Sequence, residues 1–315
     1  MPVIQILALP FLICVLMSCI LGYFGIHILK REIIFVDIAL AQTAAVGSII
    51  AHLTFGVHAH SLAAYLCSLG CVLLISAFYA AIRNRVVQIS LEAVIGVSYA
   101  IAAAAALFLV GIAPGGHIHV QQMLSGNLLW ANWSDVVVSL LIFSAVGLCV
   151  FVIRKPLAGV SNSRQQVSDK SIRAMMLWDF VFYLLLGIVI TLSVRMGGVV
   201  VVFAYLIIPA TISVIISSHS VVQMIVIWGA AIVASITGLL FSYCLDFSIG
   251  PSIALFLGCE LILVAAVARF LNSASIHNLS QRSLHGTAGT QRRQSGARDG
   301  SQHGQSGPEE CLGSA

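Results

Sequence analysis

A chain of 315 residues that is 60% hydrophobic and only 8% charged lies far from a soluble domain, in which about a quarter of residues carry charge. With a mean hydropathy of +1.05 it reads as a polytopic membrane protein. Its net charge of +4 does not argue for a nucleic-acid partner, because the basic residues stand between apolar runs.

In chain order, the first predicted span is 3–29. It has neither a basic n-region nor a small-residue cleavage site, so a retained span is expected rather than a signal peptide. Further runs near the ~20 apolar residues a crossing requires follow at 33–56, 61–82, 92–113, 135–153, 176–194, 197–217, 221–245 and 250–271. The sixth and seventh are parted only by "RMGG", so the expectation is an all-α bundle of eight to nine transmembrane helices. Residues 1–271 form the membrane domain. Residues 272–315, rich in Ser, Gly, Gln and Arg with little to bury, are expected to form a disordered cytoplasmic tail.

Charge orients the spans. If Lys30 and Arg31 are cytoplasmic and the spans alternate, fourteen of the fifteen Lys and Arg fall on that side and only Arg195 opposes. The N-terminus is then outside and the C-terminus cytoplasmic. Seven of the eight cysteines lie in apolar runs, and no CxxC occurs. Cys67 and Cys71 share a helical face that suits a soft metal, or are small buried apolar residues.

The second run, "IIFVDIALAQTAAVG", carries Asp37 and Gln42 in an otherwise apolar stretch. Acids in spans face protein or water. At helical spacing Asp37, Ala41, Ala44, Ala45, Ser48 and His52 share a small, polar face that Gln42 flanks, with Ile34, Phe35, Ile38 and Ile49 opposite. Two readings stand side by side. Asp37 and Gln42 border a pathway, or Asp37 caps or pairs near the interface and Gln42 bonds a neighbouring helix.

Four histidines fall in the two loops assigned outside: His58 and His60 in "GVHAHS", His117 and His119 in "PGGHIHV". Imidazole suits zinc, copper, iron or nickel, and His-x-His sets both rings on one side of an extended segment. Two such pairs on one face make a candidate metal funnel; the alternative is plain polar loops. His27 and His52 line a path or bond backbone. Pro209 ends or kinks the seventh span at Ile208, leaving "ATISVIISSHS" able to form a short helix.

The second run also resembles the second-span motif of the integral-membrane subunits of ABC-type zinc, manganese and iron importers. Phe35 anchors the match, Ala39-Leu40-Ala41-Gln42 stands for Ala-Leu-Ser-His, and Gly47 stands for the closing Gly. Gln42 replaces the motif's His, and Asp37 sits one place earlier than its Asp. "LEAVIGVSYAIAAAAALFLVG" resembles the acidic residue before Ile-Gly, placing Glu92 and Gly96. "VQQMLSGNLLWANWSDV" matches a Leu-x-Gly-Asn-Ile-Leu segment through Leu124, Gly126 and Asn127, and "LIIPA" matches at Leu206–Ala210. The resemblance runs from about 5 to 271.

What the resemblance implies is a permease subunit, not itself an enzyme, in the plasma (inner) membrane. A divalent metal is the cargo, with no permanently bound cofactor. Asp37, Gln42, His52 and the loop histidines are the pathway candidates. Pro209, Ala210 and Thr211 are the residues that couple to an ATPase. Ala41, Ala44, Ala45, Gly47, Ser48, Gly96 and Gly126 are helix-packing positions. The chain contains no GxxxxGK[ST], so ATP is expected to be used by an ABC ATPase partner. An extracytoplasmic metal-binding protein, a permease homodimer and membrane lipid complete the expected partners. The competing readings are an ion-coupled secondary transporter, for which Asp179 and Glu260 are the other mid-span acids, an intramembrane enzyme and a non-transporting scaffold.

Overall fold

Long apolar runs leave the backbone no solvent to bond, so they close their hydrogen bonds internally as helices. The computed structural model describes residues 3–56, 61–83, 89–112, 126, 128–162 and 169–270. These form α1 (Val3–Arg31), α2 (Val36–Phe55), α3 (Leu62–Arg83), α4 (Leu91–Ile112), a 3-10 turn (Leu128–Trp130), α5 (Trp133–Asn162), α6 (Asp169–Gly197), α7 (Val199–Ile216), α8 (Ser220–Leu245) and α9 (Ile249–Phe270). Among the described residues nine helices are long and apolar enough to cross a membrane, and there is no strand. The tail expected at 272–315 lies outside the described residues. Residues Met1–Val264 make one compact unit, and Ala265–Ala315, of which only the end of α9 is described, make the second.

Two helices separate at "RMGG". Gly198 alone interrupts them, at φ 81 and ψ 161, while its N–H still bonds the Val194 carbonyl at 2.9 Å. The 18 residues of α7 extend about 27 Å at 1.5 Å per residue, close to the thickness of the hydrocarbon core.

Packing has two poles joined by α6. Helix α1 lies against α7 and α8; α2 lies against α3 and α4. Phe24 of α1, Phe182 and Tyr183 of α6, and Tyr79 of α3 are all buried, and their rings meet in sequence, with centroids 5.7 Å (Phe24–Phe182) and 5.9 Å (Tyr79–Tyr183) apart. Tilted and edge-on aromatic contacts of this kind add to the burial of the rings.

Of the end or kink expected at Pro209, the end is not found. Helix α7 runs unbroken from Val199 to Ile216 with Pro209 inside it, so "ATISVII" is the end of α7 rather than a separate helix. Proline removes one N–H, and neighbouring helices and hydroxyls make this tolerable within a membrane. Thr211 Oγ1 donates to the Ile207 carbonyl at 2.9 Å and Ser213 Oγ to that of Ala210 at 2.7 Å.

Candidate functional site

The second helix starts from a tight turn. Glu32, in the left-handed region at φ 56, ends α1, with its N–H on Leu29 O at 3.3 Å and that of Ile33 on Ile28 O at 3.4 Å. Only residues 32–35 then separate α1 from α2. The first N–H groups of a helix have no partner inside it, and the N-cap here, Phe35, has no side chain able to accept one. Two carboxylates do so instead. Asp37 Oδ1 accepts the Ile38 N–H at 2.7 Å, and Glu92 Oε1, from the first turn of α4, accepts the Phe35 N–H at 3.1 Å. Negative charge is favoured at this pole of the helix dipole. Asp37 therefore has a capping contact, as the second of its two sequence readings requires.

The small face of α2 turns inward. Asp37, Ala41, Ala44 and Ala45 are buried, and Ser48, His52 and Gln42 are half-buried. At Gly47 a side chain would meet the α3 backbone, 2.7 Å from the Ser68 Cα and 2.8 Å from the Cys67 carbonyl. Gly47→Val is thus expected to destabilise the bundle by about 1–3 kcal/mol, the usual cost of overpacking. Gly96 has nothing within 4 Å of an added Cβ, so Gly96→Val should leave stability unchanged. Thermal unfolding of the two purified variants checks the contrast. Ile49, expected opposite the small face, is buried as well, because α2 is enclosed by α3, α4 and α6; Ile50 and Leu53 take the exposed strip.

Along α2, Asp37 and Gln42 stand about 7.5 Å apart in depth, and Gln42 and His52 about 15 Å. Such spacing suits successive contacts and not one coordination sphere. Among the described residues no group of three or more His, Cys, Asp or Glu is placed to hold a metal ion. His58, His60, His117 and His119 lie outside the described residues. A cavity of about 630 Å³ between α2, α3 and α4 is lined by Thr43, Ile75, Phe78, Val97, Ser98 and Ile101 among others, and by none of the candidate pathway residues.

The strongest polar cluster was not read from the sequence. Asp179, taken as a mid-span acid, accepts Arg31 Nη1 at 2.8 Å and Arg83 Nη1 at 2.6 Å on the same Oδ1. The side chains of Arg31 and Asp179 are each only 1% exposed, against 24% for Arg83. The Arg31 guanidinium also lies over the Phe182 ring, 4.1 Å from its centroid. The C-terminal ends of α1 and α3 and the N-terminal part of α6 are thereby tied together. The N-termini of α2 and α4 are joined through Glu92, and the α1–α2 turn links the two groups. At the other end of α6, Arg195 lies 5.6 Å from the centroid of the Tyr65 ring, near the start of α3. Gly126, at φ 68, abuts the backbone of Gly197 and Gly198 so closely that a Cβ would overlap it. Spans that alternate in direction bring these ends together.

Pro209 and Ala210 are buried and Thr211 half-buried, with Ala210 packed on Ile26 of α1 and Ile227 of α8. They do not form a surface on which a partner could dock. The exposed residues are Val214, Ile215 and Ile216 at the end of α7, and the Ser217–His219 turn is braced by Gln223 Nε2 on the Ser217 carbonyl at 2.9 Å.

Residues 4–269 match the ABC 3 transport family. The chain is 26% identical over 169 residues to a probable metal transport system membrane protein of Chlamydia pneumoniae, covering 53% of this chain and 57% of that one. It is 24% identical over 200 residues to a probable metal transport system membrane protein of Chlamydia muridarum, covering 61% and 65%. The matched segments thus span less than two thirds of either curated relative. In fold the chain is similar to PsaBC from Streptococcus pneumoniae in complex with Fab, with a TM-score of 0.66 at 18% identity over 83% of this chain and 92% of that one.

Proposed function

This chain belongs to the ABC 3 transport family, and from that premise we propose that it is the membrane subunit through which a divalent transition metal, zinc, manganese or iron, enters the cell. The observation that carries the reading is the extent of the family match, residues 4–269, which takes in the whole helical bundle apart from its terminal residues Val3 and Phe270. The names of the two chlamydial relatives, both metal transport system membrane proteins, support metal as the cargo. The family is the permease component of an ABC transporter and is not itself catalytic. Two such permeases work with two ABC ATPase subunits, and an extracytoplasmic metal-binding protein delivers the ion.

The membrane is the plasma (inner) membrane. The end of the bundle that holds Arg31, Arg83 and Asp179 faces the cytoplasm, because Lys and Arg concentrate there. The ATPase meets the turn between α7 and α8, where Ile215, Ile216 and His219 are exposed. Pro209, Ala210 and Thr211 then act through the rigid body of α7 and not by contact. On the outer face the two His-x-His loops collect the ion, and the small face of α2 conducts it.

Cells lacking this chain, grown with zinc, manganese or iron limiting in turn, should lose one of these metals in elemental analysis and regain it with the wild-type chain. A stoichiometric P-loop ATPase should co-purify with it. If no metal changed under any limitation, the reading would fall.

A further inference from the structure

We infer that Glu92 is a positioning residue for the second helix: from α4 it sets the depth and rotation at which α2 begins, and hence where Asp37 stands. The inference rests on the reading of α2 as the helix that borders the metal path.

Three observations meet at this carboxylate. Phe35, the N-cap of α2, supplies no capping side chain, and its N–H is taken by Glu92 Oε1 at 3.1 Å from 57 residues away in sequence. The other oxygen of Glu92, Oε2, is buried and has no hydrogen-bond partner. The carboxylate is therefore turned towards the backbone at residues 34–35, where α2 begins. Asp37, two residues beyond Phe35, takes the Ile38 N–H.

The geometry makes the bond a depth gauge. At its N-terminus α2 is held from two directions. The last residue of α1, Arg31, is tethered to Asp179 on α6, and Phe35 is tethered through Glu92 to α4. Without the second tether the Phe35 N–H has no acceptor, and the start of α2 can fray or rotate. Asp37 belongs to that turn. A rotation of one residue, about 100° on a helix, would carry its carboxylate off the inward face. Charged acceptors make strong, short hydrogen bonds, but what this contact requires is an oxygen at the right reach. Shortening the side chain by one methylene withdraws that oxygen by about 1.5 Å and breaks the bond.

The test is uptake of radioactive zinc or manganese, whichever metal the deletion strain loses, into cells carrying the complete transporter. Glu92→Gln keeps an amide oxygen at the same reach and should stay within about two-fold of wild type. Glu92→Asp and Glu92→Ala should each raise the KM for metal at least about five-fold at unchanged protein level in the membrane. Glu92→Asp retains charge and polarity, and it decides the matter if Glu92→Ala does not accumulate. Uptake by Glu92→Gln as poor as by Glu92→Ala would overturn the inference, because charge and not the bond would then be needed. Normal KM in both Glu92→Asp and Glu92→Ala would overturn it too. Asp37→Asn, measured beside them, separates the two readings. If its uptake is normal, Asp37 makes no contact with the ion, and the reading on which the inference rests falls at this end of α2. If it fails while every Glu92 variant is normal, the path stands and the positioning role is lost.

Discussion

Asp179→Ala should be the most damaging single substitution in the bundle, costing about 3–5 kcal/mol, the range for removing one partner of a buried pair. The reason is an imbalance of charge. Two guanidinium groups share one oxygen of Asp179, so losing the carboxylate strands both cations. Arg83 can turn to water, being 24% exposed, but Arg31, at 1%, cannot. Arg31→Ala removes a cation yet leaves the Arg83–Asp179 pair neutral. Its cost should be nearer 2 kcal/mol, chiefly the contact with the Phe182 ring. The double variant Arg31→Leu with Asp179→Leu should recover much of the loss seen with Asp179→Ala, because apolar replacement of a buried pair is often neutral. Thermal unfolding in detergent gives the ranking, and equal losses for Asp179→Ala and Arg31→Ala would refute the imbalance.

The triad also shows where the sequence stops being legible. Hydrophobic runs place all nine spans to within a few residues at most ends, because the membrane imposes a length on each. The larger differences are α5 and α6, which run on past the apolar runs through Asn162 and from Asp169. Asp179 lies in an apolar run, and a linear reading makes it a mid-span acid. Threading the spans alternately brings the ends of α1 and α3 beside the start of α6, and that step would have exposed the pairing. Glu92 is less accessible, since its partner is a backbone N–H, which carries no residue signature. Ile49 was misplaced for a related reason: one helical wheel does not tell how many neighbours enclose it. At Pro209 a local rule lost to context. A single missing N–H does not end a helix clamped between α1 and α8.

These features concentrate on α2. It is enclosed by α3, α4 and α6, closely apposed to α3 at Gly47, and held at its N-terminus by carboxylates from itself and from α4. A helix fixed this firmly can carry a ligating group at a defined depth, and preorganisation of this kind lets a weak, exchangeable site remain specific. On the proposed reading of α2 as the path, the spread of Asp37, Gln42 and His52 along its length suits an ion handed on and not retained, since a closed four-ligand sphere would trap it.

Asp37→Asn should separate the capping role of Asp37 from its role towards metal. The asparagine oxygen can still accept the Ile38 N–H, so the start of α2 and the melting temperature should be preserved. What is lost is a carboxyl group that can ionise on meeting a cation. A neutral amide is a weak ligand for a hard or borderline divalent cation. If Asp37 borders the path, metal uptake should fall at least about ten-fold, the rate equivalent of ~1.4 kcal/mol, with protein level unchanged. Asp37→Ala should show the same transport loss together with a stability loss of about 1 kcal/mol, the ordinary effect of deleting a capping acceptor. A fully active Asp37→Asn beside a destabilised Asp37→Ala would assign the residue to capping alone. The metal contacts would then have to come from elsewhere along α2 or from the His-x-His loops.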